Sequence, residues 1–190
     1  NEMHEPNTFH GVVRPVLESQ IIPSTVREMG LGFFGAAGDL DYRFYAVNGL
    51  RASRFGTSGV RGGRQKGNRA LFEDIAITAR VDYSPEAVPG LLVGASFFTG
   101  GSGQDETFAG STPDVDTTIW DVHAQYHADQ LELRAMIAGS DIDDADLVST
   151  ELGKAIPEEQ KGWYVEAAYD ILPHIAPDSP VSYTHLTLPT

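Results

Sequence analysis

Residues 50–72 form the most unusual segment of the chain, because they carry six basic side chains and no acidic one. A guanidinium group presents a planar fork of donors that matches the oxygens of phosphate and carboxylate groups. Five glycines in the same segment would let the backbone bend toward a bound ion. The sequence therefore predicts an anion-attracting segment, and its candidate residues are Arg51, Arg54, Arg61, Arg64, Lys66 and Arg69.

Other motifs that contain catalytic or metal-binding residue types fail on spacing. His123 and His127 would lie about 13 Å apart on a strand, too far to share one ion unaided. The acidic run 141–146 lacks the glycine of a calcium loop, and the glycine-rich run 59–67 lacks the spacing of a phosphate-binding P-loop. No Ser-His-Asp arrangement can be assigned. We therefore expect no enzyme, no catalytic residue and no metal or cofactor.

The composition limits the kinds of partner. The 190 residues carry 13 Lys plus Arg against 27 Asp plus Glu, which gives a formal net charge of -14. That charge has the wrong sign for a nucleic-acid binder. Because 41% of the residues are hydrophobic, the chain is also too apolar to be a disordered acidic segment. We expect a folded protein of one or at most two domains that does not bind nucleic acid.

Polar and apolar side chains alternate along five segments, which is the period of a β-strand. In 118–127, for example, Trp120 and Val122 share one face, whereas Asp121 and His123 share the other. Two further segments are rich in glycine and are predicted as strands because turn residues flank them. The seven predicted strands are 26–35, 40–48, 70–83, 90–99, 117–127, 131–139 and 162–171.

Short turns and long connections alternate strictly between these strands. The last long connection contains a predicted helical turn between Asp144 and Leu152, with Asp144 as its cap. Such alternation is typical of a transmembrane β-barrel, and a tilted strand of ten residues would rise about 23 Å, close to the height of its apolar band. The predicted fold is all-β, an antiparallel meander that is part of a transmembrane outer-membrane β-barrel. The alternative is a soluble or surface-exposed β-barrel ligand-binding module whose apolar faces form the core.

The strand periodicity also predicts which residues share a face. A barrel in a membrane would turn the apolar face outward and the polar face toward its lumen. On the polar face Arg43, Arg80 and Arg134 could extend the cationic track of 50–72, although acidic residues lie beside them. The predicted apolar set is Ile75, Ile77, Ala79, Val81, Val122, Ala124, Leu133, Ala135, Val165 and Ala167, and the predicted polar set is Asp74, Thr78, Arg80, His123, Arg134 and Glu166.

Several short motifs, taken in their order along the chain, resemble one family of membrane proteins. They lie in 1–9 (NEMHEPNTF), 11–25 (GVVRPVLESQIIPST), 27–35 (REMGLGFFG), 42–50 (YRFYAVNGL), 59–66 (GVRGGRQK) and the run from 79 through 85 into 90–103. In these residues the chain is similar to the phosphate-selective porin O/P family of bacterial outer membranes.

The resemblance implies a sixteen-stranded porin, a passive aqueous channel for small anionic solutes such as phosphate, with 50–72 as a basic constriction loop. It also implies an outer-membrane location and contact with outer-membrane lipid and lipopolysaccharide, and the complete protein could assemble as a homotrimer. The alternative role for 50–72 is a mobile basic surface loop that faces external lipopolysaccharide.

An odd number of strands does not close in the usual even-stranded scheme, so we expect residues 1–171 to be an interior fragment of a porin domain. Residues 172–190 are interpreted as a tail. The last ten residues, 181–190 (VSYTHLTLPT), match the translation of a transposase adapter used in sequencing and are interpreted as artefactual. The alternative is an ordinary polar C-terminal tail.

Overall fold

The computed structural model describes residues 15–23, 26–67 and 70–171. Within these ranges seven strands form one antiparallel sheet in chain order, so the predicted all-β meander is confirmed. The predicted tail 172–190 and Arg69 lie outside the described residues. The strands are β1 (Gly30–Ala37), β2 (Leu40–Asn48), β3 (Ile75–Tyr83), β4 (Leu91–Gly101), β5 (Asp116–Ala128), β6 (Leu131–Ile142) and β7 (Glu159–Tyr169).

Two helices accompany the sheet in the described ranges, α1 (Leu17–Gln20) and α2 (Ala145–Leu152). The second confirms the helical turn predicted between Asp144 and Leu152. Asp144 does precede it, but in a left-handed conformation and without a side-chain capping bond. None of the helices in the described ranges is long and apolar enough to cross a bilayer.

β1 and β3 begin later than predicted, and side chains from the end of β2 and from the β2–β3 connection bind the backbone just before each of these strands. Gln65 binds the backbone of Leu71 in both directions, its Oε1 accepting from the amide at 2.7 Å and its Nε2 donating to the carbonyl at 3.2 Å. Asn48 Oδ1 accepts a hydrogen bond from the Met29 amide at 2.7 Å. These side-chain bonds hold 26–29 and 70–74 as irregular segments.

The strand register confirms the two predicted sets of residues as opposite faces of the sheet, except for Asp74, which precedes β3 and has no register partner. Directly opposed residues of antiparallel strands point to the same side. One continuous row joins Val81 to Ala95, Val122, Ile137 and Trp163 across five strands. We call this side the outer face. A second row on the other side contains Asp82, Gly94, His123, Met136 and Tyr164, and we call that side the cavity face.

The outer face is apolar and exposed, whereas the cavity face is polar and buried. Ile75 is 63% exposed and Trp163 59%, both on the outer face. On the cavity face His123 is only 5% exposed and Asp82 6%.

In the described part of the chain, β1 and β7 are the two edges of the sheet and no ladder joins them. The sheet is therefore not closed into a barrel by these seven strands.

The long connections at one end of the sheet fold onto the cavity face and form an apolar core there. Phe55 of the β2–β3 connection, Phe108 of the β4–β5 connection and Val148 of α2 are almost fully buried together. They pack with cavity-face residues at the strand ends, among them Phe98 and Ile119. The connections thus cover one end of the polar face, and the short turns lie at the opposite end.

Candidate functional site

A cavity of about 490 Å³ lies against the cavity face. Three of the basic residues predicted from the sequence, Arg43, Arg80 and Arg134, border it from β2, β3 and β6. Acidic groups border it as well, since Glu18, Glu28 and Asp121 are among its lining residues. The wall is therefore mixed in charge.

Two carboxylates hold a buried histidine in the middle of this wall. His123 Nδ1 lies 2.6 Å from Asp121 Oδ1, and its Nε2 lies 2.9 Å from Asp82 Oδ1. Each ring nitrogen of His123 therefore faces a carboxylate oxygen, and Arg80 Nη2 also lies 3.2 Å from Nε2. Asp121 and His123 are two residues apart on β5, so the strand period alone puts them on one face.

Gly94 makes the contact between Asp82 and His123 possible. It lies between them in the register, because it pairs with Asp82 of β3 on one side and with His123 of β5 on the other. A Cβ atom at this position would overlap Asp82 Oδ1 and would lie 2.5 Å from His123 Nε2. The missing side chain thus lets two side chains meet across an intervening strand.

Arg80 and Ser96 complete this network. Arg80 Nε donates to Asp82 Oδ2 at 2.6 Å, and the Ser96 hydroxyl donates to Asp121. Arg80 contacts Asp82, and the His123 ring contacts both Asp82 and Asp121. Buried charges are tolerated when they are paired and hydrogen-bonded in this way. Arg80 therefore stabilises the wall and also borders the cavity.

Arg134 is also paired, because its Nε donates to Glu132 Oε1 at 2.5 Å. The two residues are two apart on β6 and share the cavity face. Arg43 lies directly opposite Arg80 in the register and is more exposed to the cavity. Of the three wall arginines, Arg43 is the one whose side chain reaches furthest into solvent.

The basic segment 50–72 is anchored to the cavity face by its own apolar residues. Leu50 and Phe55 are 1% exposed, and Ala52 and Val60 are fully buried in the core formed by the long connections. Short 3-10 turns lie over Ala52–Arg54 and Val60–Gly63, and each contains one of these buried anchors and one basic side chain. The backbone of the segment therefore lies over the end of the cavity face.

Polar contacts fix the same segment to the sheet. Glu28 Oε1 accepts from the Gln65 amide at 2.8 Å, and its Oε2 accepts from Asn48 Nδ2 at 2.8 Å. Gln65 Nε2 in turn donates to the Gly49 carbonyl at 2.9 Å. Because Asn48 and Gln65 are buried, these bonds are shielded from water.

Arg51 is neutralised by an acid from another connection. Its Nε donates to Glu106 Oε1 at 2.9 Å. Burial opposes ionisation of Glu106, but the hydrogen bond from Arg51 and the charges of Arg51 and Arg54 outweigh it and hold the pKa of the Glu106 carboxyl below its ordinary value. Arg51 therefore joins two long connections.

The structure brings three of the predicted basic residues to one place. Arg54, Arg61 and Arg64 border an open depression of about 390 Å³ at the loop end. Lys154, which follows α2, adds a fourth cation. Burial lowers the pKa of Arg64, and the neighbouring Arg61 lowers it further. Lys66 is exposed and borders neither cavity. The other described basic residues divide into a wall group of Arg43, Arg80 and Arg134, a loop group of Arg54, Arg61 and Arg64, and the paired Arg51.

Sequence reasoning missed the network of Arg80, Asp82, Asp121 and His123. One signal was present, since Arg80 with Asp82 and Asp121 with His123 are pairs two residues apart on strands. Their meeting depends on the register across β4, which a single sequence does not reveal. Within the described ranges, no group of three or more His, Asp or Glu residues is arranged to hold a metal ion.

No protein-family model matches the chain, and no solved structure matches it significantly. The chain is similar to an uncharacterized protein of Aquifex aeolicus (strain VF5), with 34% identity over 187 residues. The alignment covers 92% of this chain and 41% of that protein. The chain thus spans about two fifths of the length of the relative it matches.

Proposed function

We propose that this chain forms part of an outer-membrane β-barrel that acts as a passive aqueous pore for small anions, phosphate among them. One observation carries the proposal: the seven-stranded sheet exposes its apolar face and buries its polar face. Lipid is the environment that such an arrangement fits, because the outer wall of a membrane barrel contacts acyl chains and its interior holds water.

The distribution of aromatic residues on the outer face supports the same environment. β5 carries Trp120 and Tyr126 there, and β7 carries Trp163 and Tyr169. Each pair is six residues apart, about 20 Å along a strand. Amphipathic rings at two heights suit the two interfaces of a bilayer.

The position of the basic segment supports a role in an anion pathway. Its anchors Leu50 and Phe55 pack on cavity-face residues, so the segment lies on the side that would become the lumen. A rigid placement of this kind favours a constriction over a mobile external loop. Arg54, Arg61 and Arg64 would then raise the local concentration of anions where the water-filled space narrows.

Barrel closure needs strands beyond the seven described ones. β1 and β7 are edges whose backbone donors and acceptors would remain unpaired in a bilayer core, at a cost of several kcal/mol each. We propose that further strands of the complete protein, or further copies of this sheet, complete the ring.

The alternative, a soluble ligand-binding module, requires the apolar faces to form a core. The observed exposures disfavour it, since Val81, Val122 and Val165 are each more than 40% exposed. Extraction behaviour separates the two functions. The membrane pore predicts that detergent is needed to solubilise the protein and that its gel mobility changes on heating, whereas recovery in the aqueous fraction would overturn the pore.

A measurement of ion selectivity tests the proposed preference of the pore for anions. The reversal potential of the complete protein is measured in a planar bilayer under a salt gradient, for the unmodified protein, Arg43→Ala and the double variant Arg61→Ala/Arg64→Ala. Arg27→Ala is the control, because Arg27 is exposed and borders neither cavity.

We expect a reversal potential of anion-selective sign in the unmodified protein and a shift toward cation preference in at least one of the two test variants. A shift with the double variant alone would assign selectivity to the basic segment, and a shift with Arg43→Ala alone would assign it to the wall. Reversal potentials that match the control in both variants would overturn the assignment of anion preference to these arginines, and a reversal potential without anion-selective sign in the unmodified protein would overturn the anion preference itself.

A further inference from the structure

The segment that contains α1 lies on the cavity face rather than beside the sheet. Leu17 and Ile21 are buried against Ala138, Met136 and Tyr164. All three of those partners point to the cavity face of β6 and β7. Residues 15–23 therefore rest on the inner wall.

A buried carboxylate fastens α1 to this wall. Glu18 is only 2% exposed, and its Oε1 accepts a hydrogen bond from the Tyr164 hydroxyl at 2.6 Å. A buried carboxylate is costly unless hydrogen bonds compensate it. The bond between Glu18 and Tyr164 is thus a specific latch between α1 and β7.

The wall is shaped to receive α1. Gly162 of β7 points to the cavity face, and a Cβ atom there would lie 2.6 Å from Leu17 Cδ1 and 3.5 Å from Ile21 Cδ1. Any side chain at this position would push α1 away. The glycine therefore provides the space in which the helical turn sits.

Described residues that follow α1 border the cavity as well. α1 rests on β6 and β7, whereas Met29 is bound to Asn48 and leads into β1 at the far edge. Between these points Ile22, Pro23 and Val26 border the cavity. The described part of this segment therefore lines the cavity together with the sheet.

We propose that residues 15–23 are an internal plug that narrows the pore and determines its conductance, a role that rests on the proposed pore function. A helix of one turn is unstable in water, so the plug depends on its wall contacts to stay in place. Loss of the latch releases it from β7 and widens the path. The plug thus places Glu18 and Tyr164 among the residues that determine what passes.

Single-channel recording of the Tyr164→Phe variant tests the latch. The substitution removes the hydroxyl and keeps the ring that packs on Leu17. Tyr126→Phe is the matched control, because Tyr126 lies on the outer face. We expect Tyr164→Phe to add openings of about twice the unmodified conductance, because a helix about 10 Å across leaves the lumen. The control should keep the unmodified conductance.

A reversible cross-link provides a second, independent test. The chain has no cysteine, so Leu17→Cys/Gly162→Cys introduces one defined pair, and the leucine atoms that would clash with a side chain at 162 are removed. We expect the oxidised protein to stay at the low conductance and a reductant to raise it about twofold, by the same helix cross-section. The two single-cysteine variants are the controls for the cross-link, and their conductance should not change when the reductant is added.

The outcomes separate the plug from the pore. Currents that neither Tyr164→Phe nor reduction of the cysteine pair alters would overturn the plug and leave the pore standing. An unmodified protein that gives no currents in any preparation would overturn the pore, and the plug with it.

Discussion

Substitution of Gly94 by alanine should break the charge network of the cavity face. The added Cβ atom would overlap Asp82 Oδ1 and would lie 2.8 Å from the Val81 carbonyl oxygen. The side chain of Asp82 can rotate away, but the backbone carbonyl cannot move without disturbing the ladder between β3 and β4. We therefore expect Asp82 to lose its contact with the His123 ring.

The size of the effect follows from burial. Asp82 and His123 are both more than nine-tenths buried, so the lost contact is only partly replaced by water, whereas Asp82 keeps Arg80 and His123 keeps Asp121 as partners. Removal of one partner of a buried ion pair costs about 3–5 kcal/mol. Because each of the two residues keeps its second partner, and because the network borders a cavity wide enough to admit water, we expect about 3 kcal/mol, the lower end of that range.

Urea unfolding in lipid vesicles measures this loss. With a slope of about 1–3 kcal/mol per molar urea, the midpoint of Gly94→Ala should fall by roughly 1–3 M. Gly56→Ala is the matched control, because nothing lies within 4 Å of where its Cβ atom would be. Equal midpoints for the two variants would show that the contact across β4 contributes nothing to stability, and the reasoning would fail.

Two further predictions concern the loops and the outer face. Arg51 holds the pKa of Glu106 below its ordinary value of about 4.3, so the ion pair stabilises the connections fully above that pH and loses its effect as pH falls through the lowered pKa. Protease cleavage of 49–74 should therefore rise below about pH 4. Glu106→Gln should show raised cleavage already at neutral pH. An unchanged pH profile in that variant would contradict this assignment. On the outer face, Val122→Lys at the middle of β5 should cost about 2–4 kcal/mol in a bilayer, against about 0–1 kcal/mol for Ile75→Lys at the loop end of β3; equal unfolding free energies of the two variants in vesicles would argue against burial of this face in lipid.

The fold was predictable from the sequence because strand period and turn chemistry are local properties. Alternation along 118–127 already separates Val122 from His123, and the observed register keeps them on opposite faces. The helix over Ala145–Leu152 was predictable for the same reason. Local patterns of this kind need no knowledge of the neighbouring strand.

The candidate site was less accessible, because it depends on contacts between distant segments. Asp82 and His123 are 41 residues apart and meet only because Gly94 leaves room between them. The sequence left two roles open for the basic segment, a constriction loop or an exposed surface loop, because its anchors Leu50, Phe55 and Val60 are scattered among conspicuous charges. A single sequence does not show which apolar loop residues find a common core.

The packing of the connections changes how the six basic residues of 50–72 should be understood. The segment contains no acid, yet the fold supplies Glu106 to Arg51 from the β4–β5 connection and brings Glu28 to the Gln65 amide. It also supplies an additional cation, Lys154, beside Arg54, Arg61 and Arg64. The positive depression is therefore an assembled feature of two connections, and charge counts along one segment do not describe it. If anions are attracted at this end of the sheet, the electric field that attracts them comes from four cations held in place by an apolar core. A substitution that loosens the packing of Phe55 should therefore reduce anion selectivity as much as removal of one arginine does.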